Sequence, residues 1–219
     1  MTRLDTSVEL LVRPRRSPGA VAASVDLFSV LGEPAYFAAA VLFCGTVLAL
    51  RERSAVPVGV LVAAVGAGVV LESILKAAVG RTTDSVAALQ GPRPSSGPVV
   101  ISYLHSFPSG HVTGTAAFLG MLAVFLGMGR RPEVKARLAA LITAAVVLLG
   151  LLAVYCRAHT ASDVLGGMVL GGAIVAVSAA VLQALTRRQR PAYVSSAPRP
   201  AARPPVPPPT HRYGGVLVG

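Results

Sequence analysis

Five long apolar runs, divided by short arginine-rich gaps, leave this chain few ways to fold. They cover residues 35–50, 55–75, 112–129, 138–155 and 164–185. Each approaches the ~20 residues that an α-helix needs to cross the hydrocarbon core of a bilayer. Inside lipid no backbone N–H or C=O can be left unpaired, so such runs span as helices. The expected fold is all-α, a polytopic membrane helix bundle of five to six transmembrane helices. Of 219 residues, 53% are hydrophobic and 13% charged, which leaves no room for a second soluble domain.

The count turns on residues 18–32, which are moderately apolar but short and carry Asp26. They fit a surface, re-entrant or partial-span helix better than a full span. The expected organisation is a basic N-terminal segment with this amphipathic or partial-span helix at 1–33 and a membrane-embedded bundle at 34–187. A Pro-rich basic tail at 188–219 is expected to be disordered or extended. That tail is either inert and solvated, or meets a proline-reading partner or anionic lipid.

Charge placement gives the orientation. The gaps at 51–53, 130–137 and 187–190 are basic and should face the cytoplasm, with the C-terminal tail beside them. The loops at 80–108 and 156–162 then share the opposite, non-cytoplasmic face of a cell-membrane protein. A sixth span would also bring the basic cluster at 13–16 inside. The net charge of +11 implies no nucleic acid, because the basic residues flank membrane spans. Charged residues from Arg3 to Arg16 break any signal-peptide layout. Cys44 and Cys156 form no disulfide framework.

Every reactive candidate falls on the far face. In Phe107-Pro108-Ser109-Gly110-His111, Pro108 suits a helix start. Ser109 is a candidate N-cap whose hydroxyl could also bond an anion. Gly110 lets a ligand approach the backbone. His111 lies in the first turn, where free N–H groups and the helix dipole favour phosphate. His159 and Asp163, four apart, share a face if the turn is helical, so the carboxylate can hold one ring nitrogen and leave the other as base or nucleophile. Lys76 ends the second run, Arg81 lies just beyond, and Arg157 precedes His159. Together these make a phosphoryl-transfer site. His159 attacks phosphorus, His111 protonates the leaving oxygen, and Lys76 and Arg81 bind phosphate oxygens. Glu72, four before Lys76, either orients it or forms a structural pair. His105 reads as an ordinary loop histidine and His211 as irrelevant. No metal set stands out and no cofactor is implied. Gly166, Gly167, Gly171 and Gly172 place small residues four apart, which permits close helix packing.

The Pro-Ser-Gly-His of 108–111, then His159-Thr-Ala-Ser-Asp163, with Lys76 ending an earlier span, resembles the type 2 phosphatidic acid phosphatase superfamily over about residues 55–185. The resemblance implies metal-independent dephosphorylation of a membrane lipid phosphate, either a polyprenyl diphosphate or a glycerolipid phosphate, through a phosphohistidine. It implies His159 as nucleophile, Asp163 as its orienting carboxylate and His111 as general acid. It assigns phosphate to Lys76, Ser109 and the Gly110 backbone, and a six-helix bundle with an outward-facing site. Two motif arginines are absent. The Lys-x6-Arg-Pro pattern meets Thr83 and Asp84, and the Ser-Arg six residues before the nucleophile meets Leu152 and Ala153. Arg81, Arg93 and Arg157 are the candidate replacements. The alternative is a catalytically impaired relative that binds lipid phosphates or serves in assembly.

Overall fold

Each helix begins where the sequence supplies a local start signal. In the computed structural model, which describes residues 2–81 and 105–189, α1 (Arg3–Val12) opens with a capping box. The Thr2 hydroxyl accepts the Asp5 N–H at 3.2 Å, and the Asp5 carboxylate accepts the Thr2 N–H at 2.8 Å. A 3₁₀ turn (Arg13–Arg15) leads to α2 (Pro18–Leu31), which Ser17 caps. The longer helices are α3 (Pro34–Glu52), α4 (Val56–Val79), α5 (Gly110–Gly127), α6 (Pro132–Tyr155) and α7 (Ala161–Gln189). Prolines stand in the first turn of α3, α4 and α6, where a missing N–H costs nothing. At the other end of α4, Gly80 takes a left-handed turn at φ 60°, which a residue without Cβ adopts freely.

Five helices, α3 to α7, are long and apolar enough to cross a membrane. They match the five apolar runs, and the protein is an integral membrane helix bundle. With 14 residues, α2 is about 21 Å long, short of the roughly 30 Å core. Thr83, Asp84, Arg93, His211 and the Pro-rich tail from residue 190 lie outside the described residues.

The chain divides into a unit Met1–Gln183, which holds every site residue considered below, and a unit Ala184–Gly219. In the first, α5 is the central helix: 39% of its span is buried, against 17–22% for the other four. One side of it meets α3, α4 and α7 around Leu61, Ala117, Met121 and Ile174. The other meets α2, α6 and α7 around Phe28, Val112, Val146 and Val164. Exposed Phe43, Leu50, Val69, Leu141, Leu148 and Val169 form an apolar outer surface, as lipid requires.

Glycines bring the starts of α5 and α7 together. A Cβ at Gly167 would lie 2.7 Å from the Ser109 carbonyl oxygen, and one at Gly171 would lie 2.9 Å from that of Thr113. Both contacts are closer than a side chain allows, so the small residues let backbone meet backbone. Nothing stands within 4 Å of a Cβ at Gly172, so only part of the glycine cluster is packed this way.

Candidate active site

The ends of α4 and α6 and the starts of α5 and α7 meet at one end of the bundle. His159 sits in the short turn between α6 and α7. Its N–H donates to the Ala153 carbonyl at 3.2 Å, which wraps the turn back on α6. Asp163 lies in the first turn of α7. Its Oδ2 accepts the Thr160 N–H at 2.9 Å and so caps the helix that carries it. The same oxygen stands 3.8 Å from His159 Nδ1, beyond hydrogen-bond reach. The carboxylate is fully buried and the imidazole nearly so. Among the described residues, His159 Nδ1, Asp163 Oδ1 and Ser109 Oγ are buried without a hydrogen-bond partner. Such groups are few in native proteins, and three of them meet here.

His111 opens α5 across from this pair. Its ring stacks on Phe28 of α2 with centroids 4.4 Å apart and planes at 17°. Phe28 also presents an edge contact to His159, at 6.3 Å and 71°. Two imidazoles separated by 48 positions in sequence thus flank one phenyl ring. The α2–α3 turn packs against the edge of the same ring, since a Cβ at Gly32 would fall 1.5 Å from His111 Nε2.

The expected phosphate-binding residues divide between two groups. Lys76 is buried and pairs with Glu72 at 2.5 Å. The Glu72 carboxylate also crowds Gly110, where an added Cβ would lie 2.3 Å from Oε1. Ser109 precedes Gly110; its N–H donates to the Asp163 carbonyl at 3.0 Å, which ties α5 to α7. Lys76, Ser109 and Gly110 are therefore gathered, with an acidic side chain against the helix N-terminus that favours anions.

Arg81 belongs to the other group. Its Nη1 donates to Ser162 Oγ at 2.6 Å and stands 3.3 Å from Asp163 Oδ1. Its Nη2 donates to Asp5 Oδ2 at 2.7 Å and to Thr160 Oγ1 at 3.2 Å. Arg157 stands apart from both groups: it is exposed, holds a left-handed φ of 64°, and its charge acts on Glu9 of α1. His105 approaches Gly80 at 3.9 Å from where a Cβ would be.

Three contributors, Asp5, Phe28 and Gly32, carry no mark in the sequence that would single them out. All lie in the N-terminal 33 residues, which carry no reactive motif. The one local signal was the Thr2/Asp5 spacing of a capping box, and it accounts for α1 alone.

The PAP2 superfamily matches residues 57–187, more than half of the chain. A solved structure, described as "Crystal structure of the first transmembrane PAP2 type phosphatidylglycerolphosphate phosphatase from Bacillus subtilis", is similar with a TM-score of 0.64 and 21% sequence identity. The likeness covers 82% of this chain and 84% of that one, and at this identity it establishes a shared fold. No curated protein matches the sequence.

Proposed function

The chain belongs to the PAP2 superfamily, and from that premise we propose that it is a membrane lipid phosphate phosphatase working through a phosphohistidine on His159. The observation that carries the reading is the pair of imidazoles flanking Phe28, one of them backed by a buried carboxylate.

In the first step His159 Nε2 forms a bond to phosphorus as the bond to the lipid oxygen breaks. His111 donates its proton to that leaving oxygen. Asp163 Oδ2, 3.8 Å from Nδ1, closes to hydrogen-bond distance as the ring becomes positive, and then holds the Nδ1 proton and stabilises the charge. In the second step water attacks the phosphohistidine, His111 accepts its proton, and inorganic phosphate leaves with His159 restored. Lys76, the Ser109 hydroxyl and the Gly110 N–H hold the phosphate oxygens, and Arg81 adds its charge from the Asp163 side. The exposed position of Arg157 argues for leaving it out of this set.

The substrate class is a polyprenyl diphosphate or a glycerolipid phosphate, presented at the non-cytoplasmic face with the C-terminal tail in the cytoplasm. A site at the bilayer edge takes the head group while the chain stays in lipid, sparing its transfer to water. An apolar cavity of about 600 Å³ between α5, α6 and α7, lined by Ala116, Ile142, Val146, Met168 and Val175 among others, suits such a chain. Ala116 and Met168 each follow a proposed catalytic residue by five positions, roughly 7.5 Å of helix.

One observation favours the second reading, a binding protein without turnover. The Arg81 guanidinium is engaged by Asp5 and lies against Asp163, while Thr83 and Ala153 fill the positions of the family's arginines. A phosphate-release assay separates the two. Purified wild type in detergent with a chelator should release phosphate from a lipid phosphate, and His159→Ala should not. Lipid-phosphate binding without release by the wild type would support the second reading.

A further inference from the structure

We propose that Asp5, on the N-terminal helix, is a positioning residue of the active site that acts through Arg81 on the Asp163–His159 pair. This rests on the phosphatase reading above. The superfamily match begins at residue 57, so nothing in that resemblance assigns a role to α1.

The geometry starts with a carboxylate used to its full capacity. Asp5 is 3% exposed although it lies near the chain terminus, on a helix that is otherwise mostly exposed. Its Oδ2 accepts from the Thr2 N–H at 2.8 Å, from Arg81 at 2.7 Å and from the Ser162 hydroxyl at 3.0 Å. Its Oδ1 accepts the Ser162 N–H at 2.9 Å. Burying a charge this thoroughly is tolerated only where partners replace water, and here they do. The partners are a cation 76 positions away and the residue beside Asp163.

The arm is also fastened at its other end. Arg16 donates to the Val154 carbonyl at 2.8 Å and the Tyr155 carbonyl at 2.9 Å, and forms a bidentate pair with Glu9. Those carbonyls close α6. Residues 156–160, which include His159, run from the helix end that Arg16 holds to the helix start that Asp5 holds. The N-terminal arm therefore braces both ends of the histidine-bearing turn.

Arg81 is the intermediary. With Asp5 on one edge, its guanidinium stands 3.3 Å from the Asp163 oxygen that has no hydrogen-bond partner among the described residues. That contact fixes the carboxylate and leaves its other oxygen toward His159. Asp5 touches neither histidine and in this arrangement contacts no substrate.

The test compares Asp5→Asn, Arg81→Ala and the double variant in detergent, each checked for an unchanged melting profile or corrected for folded fraction. Asp5→Asn keeps the shape and loses the charge. It should lower kcat on the order of 10- to 100-fold, the effect of sub-ångström to 1 Å misplacement, and leave KM nearly unchanged. In the double variant kcat should be no lower than in Arg81→Ala alone, because the Asp5 effect passes through Arg81. Orthovanadate binding by calorimetry gives a readout independent of turnover, and Asp5→Asn should weaken it at least several-fold. A wild type that binds vanadate without turnover defeats the phosphatase reading while still testing Asp5. Asp5→Asn matching wild type in vanadate binding and kcat, losses that multiply in the double variant, or a wild type that binds no vanadate would overturn the proposal.

Discussion

Lys76 Nζ lies 2.5 Å from Glu72 Oε1, and both side chains are largely buried one helical turn apart on α4. The same carboxylate stands against Gly110, at the helix start where an incoming phosphate would sit. An anionic substrate must therefore compete with Glu72 for Lys76. Removing only the lysine leaves a buried carboxylate unpaired in that place, the costly half of breaking an ion pair. Lys76→Met should lower kcat/KM by 10- to 100-fold, the rough worth of a charge-assisted bond to phosphate. Lys76→Met combined with Glu72→Gln should recover part of that loss, because the repelling charge is gone. Steady-state kinetics of the two variants checks this, and a double variant worse than the single would refute the competition.

Gly32 sets the position of His111 from outside the bundle's long helices. Any Cβ there meets the imidazole at 1.5 Å, so Gly32→Ala must displace the ring or the turn. The expected result is a fall in kcat of about 100-fold with a smaller change in KM, since the phosphate holders lie elsewhere. Phe28→Leu keeps an apolar side chain against the histidines and should lower kcat much less in the same assay.

Helix contact at the glycines has its own control. Gly167→Val would drive side-chain atoms into the Ser109 carbonyl and part α5 from α7. Overpacking of this kind costs about 1–3 kcal/mol, and activity should fall with it. Gly66→Val, on the exposed face of α4 and away from the cavity, meets open space and should leave both unchanged. Thermal unfolding in detergent beside activity distinguishes them.

The bundle itself was readable from the sequence because hydropathy and the length of a bilayer crossing are nearly the same information. Deviations occur where helices continue beyond their apolar part. The fourth apolar run starts at Leu138, but α6 starts at Pro132, because proline fixes the first turn and Lys135 and Arg137 can lie on a helix outside the core. The motif residues His111, His159, Asp163 and Lys76 were visible as residue types at fixed spacing. The contact between Asp5 and Arg81 was not, since two opposite charges 76 positions apart leave no periodic mark. Phe28 was hidden for a similar reason: one aromatic in a short apolar helix looks like ordinary core.

Attachment of the N-terminal arm should depend on acid pH. Burial works to raise the pKa of Asp5, and hydrogen bonds from Thr2, Ser162 and Arg81 outweigh it, holding the carboxyl well below the usual carboxylate range. The Arg16 guanidinium likewise lowers Glu9 against the opposing effect of burial. Depressed folded-state values mean that the unfolded chain takes up protons first as pH falls. The stability that both residues contribute is complete at neutral pH. It declines once pH drops through the ordinary carboxylate values near about 4, and continues to decline toward the folded-state values. Melting temperature measured from pH 7 to pH 3 should fall more steeply for wild type than for Asp5→Asn with Glu9→Gln. Parallel slopes would mean that these carboxylates add nothing to the attachment.

The central claim is that the His159 ring itself carries the phosphoryl group. Enzyme mixed with a lipid phosphate and quenched within milliseconds in alkali, where phosphohistidine survives, can be digested and read by mass spectrometry. The account predicts a phosphorylated peptide containing His159, missing from His159→Ala together with phosphate release. Undiminished phosphate release by His159→Ala would contradict it.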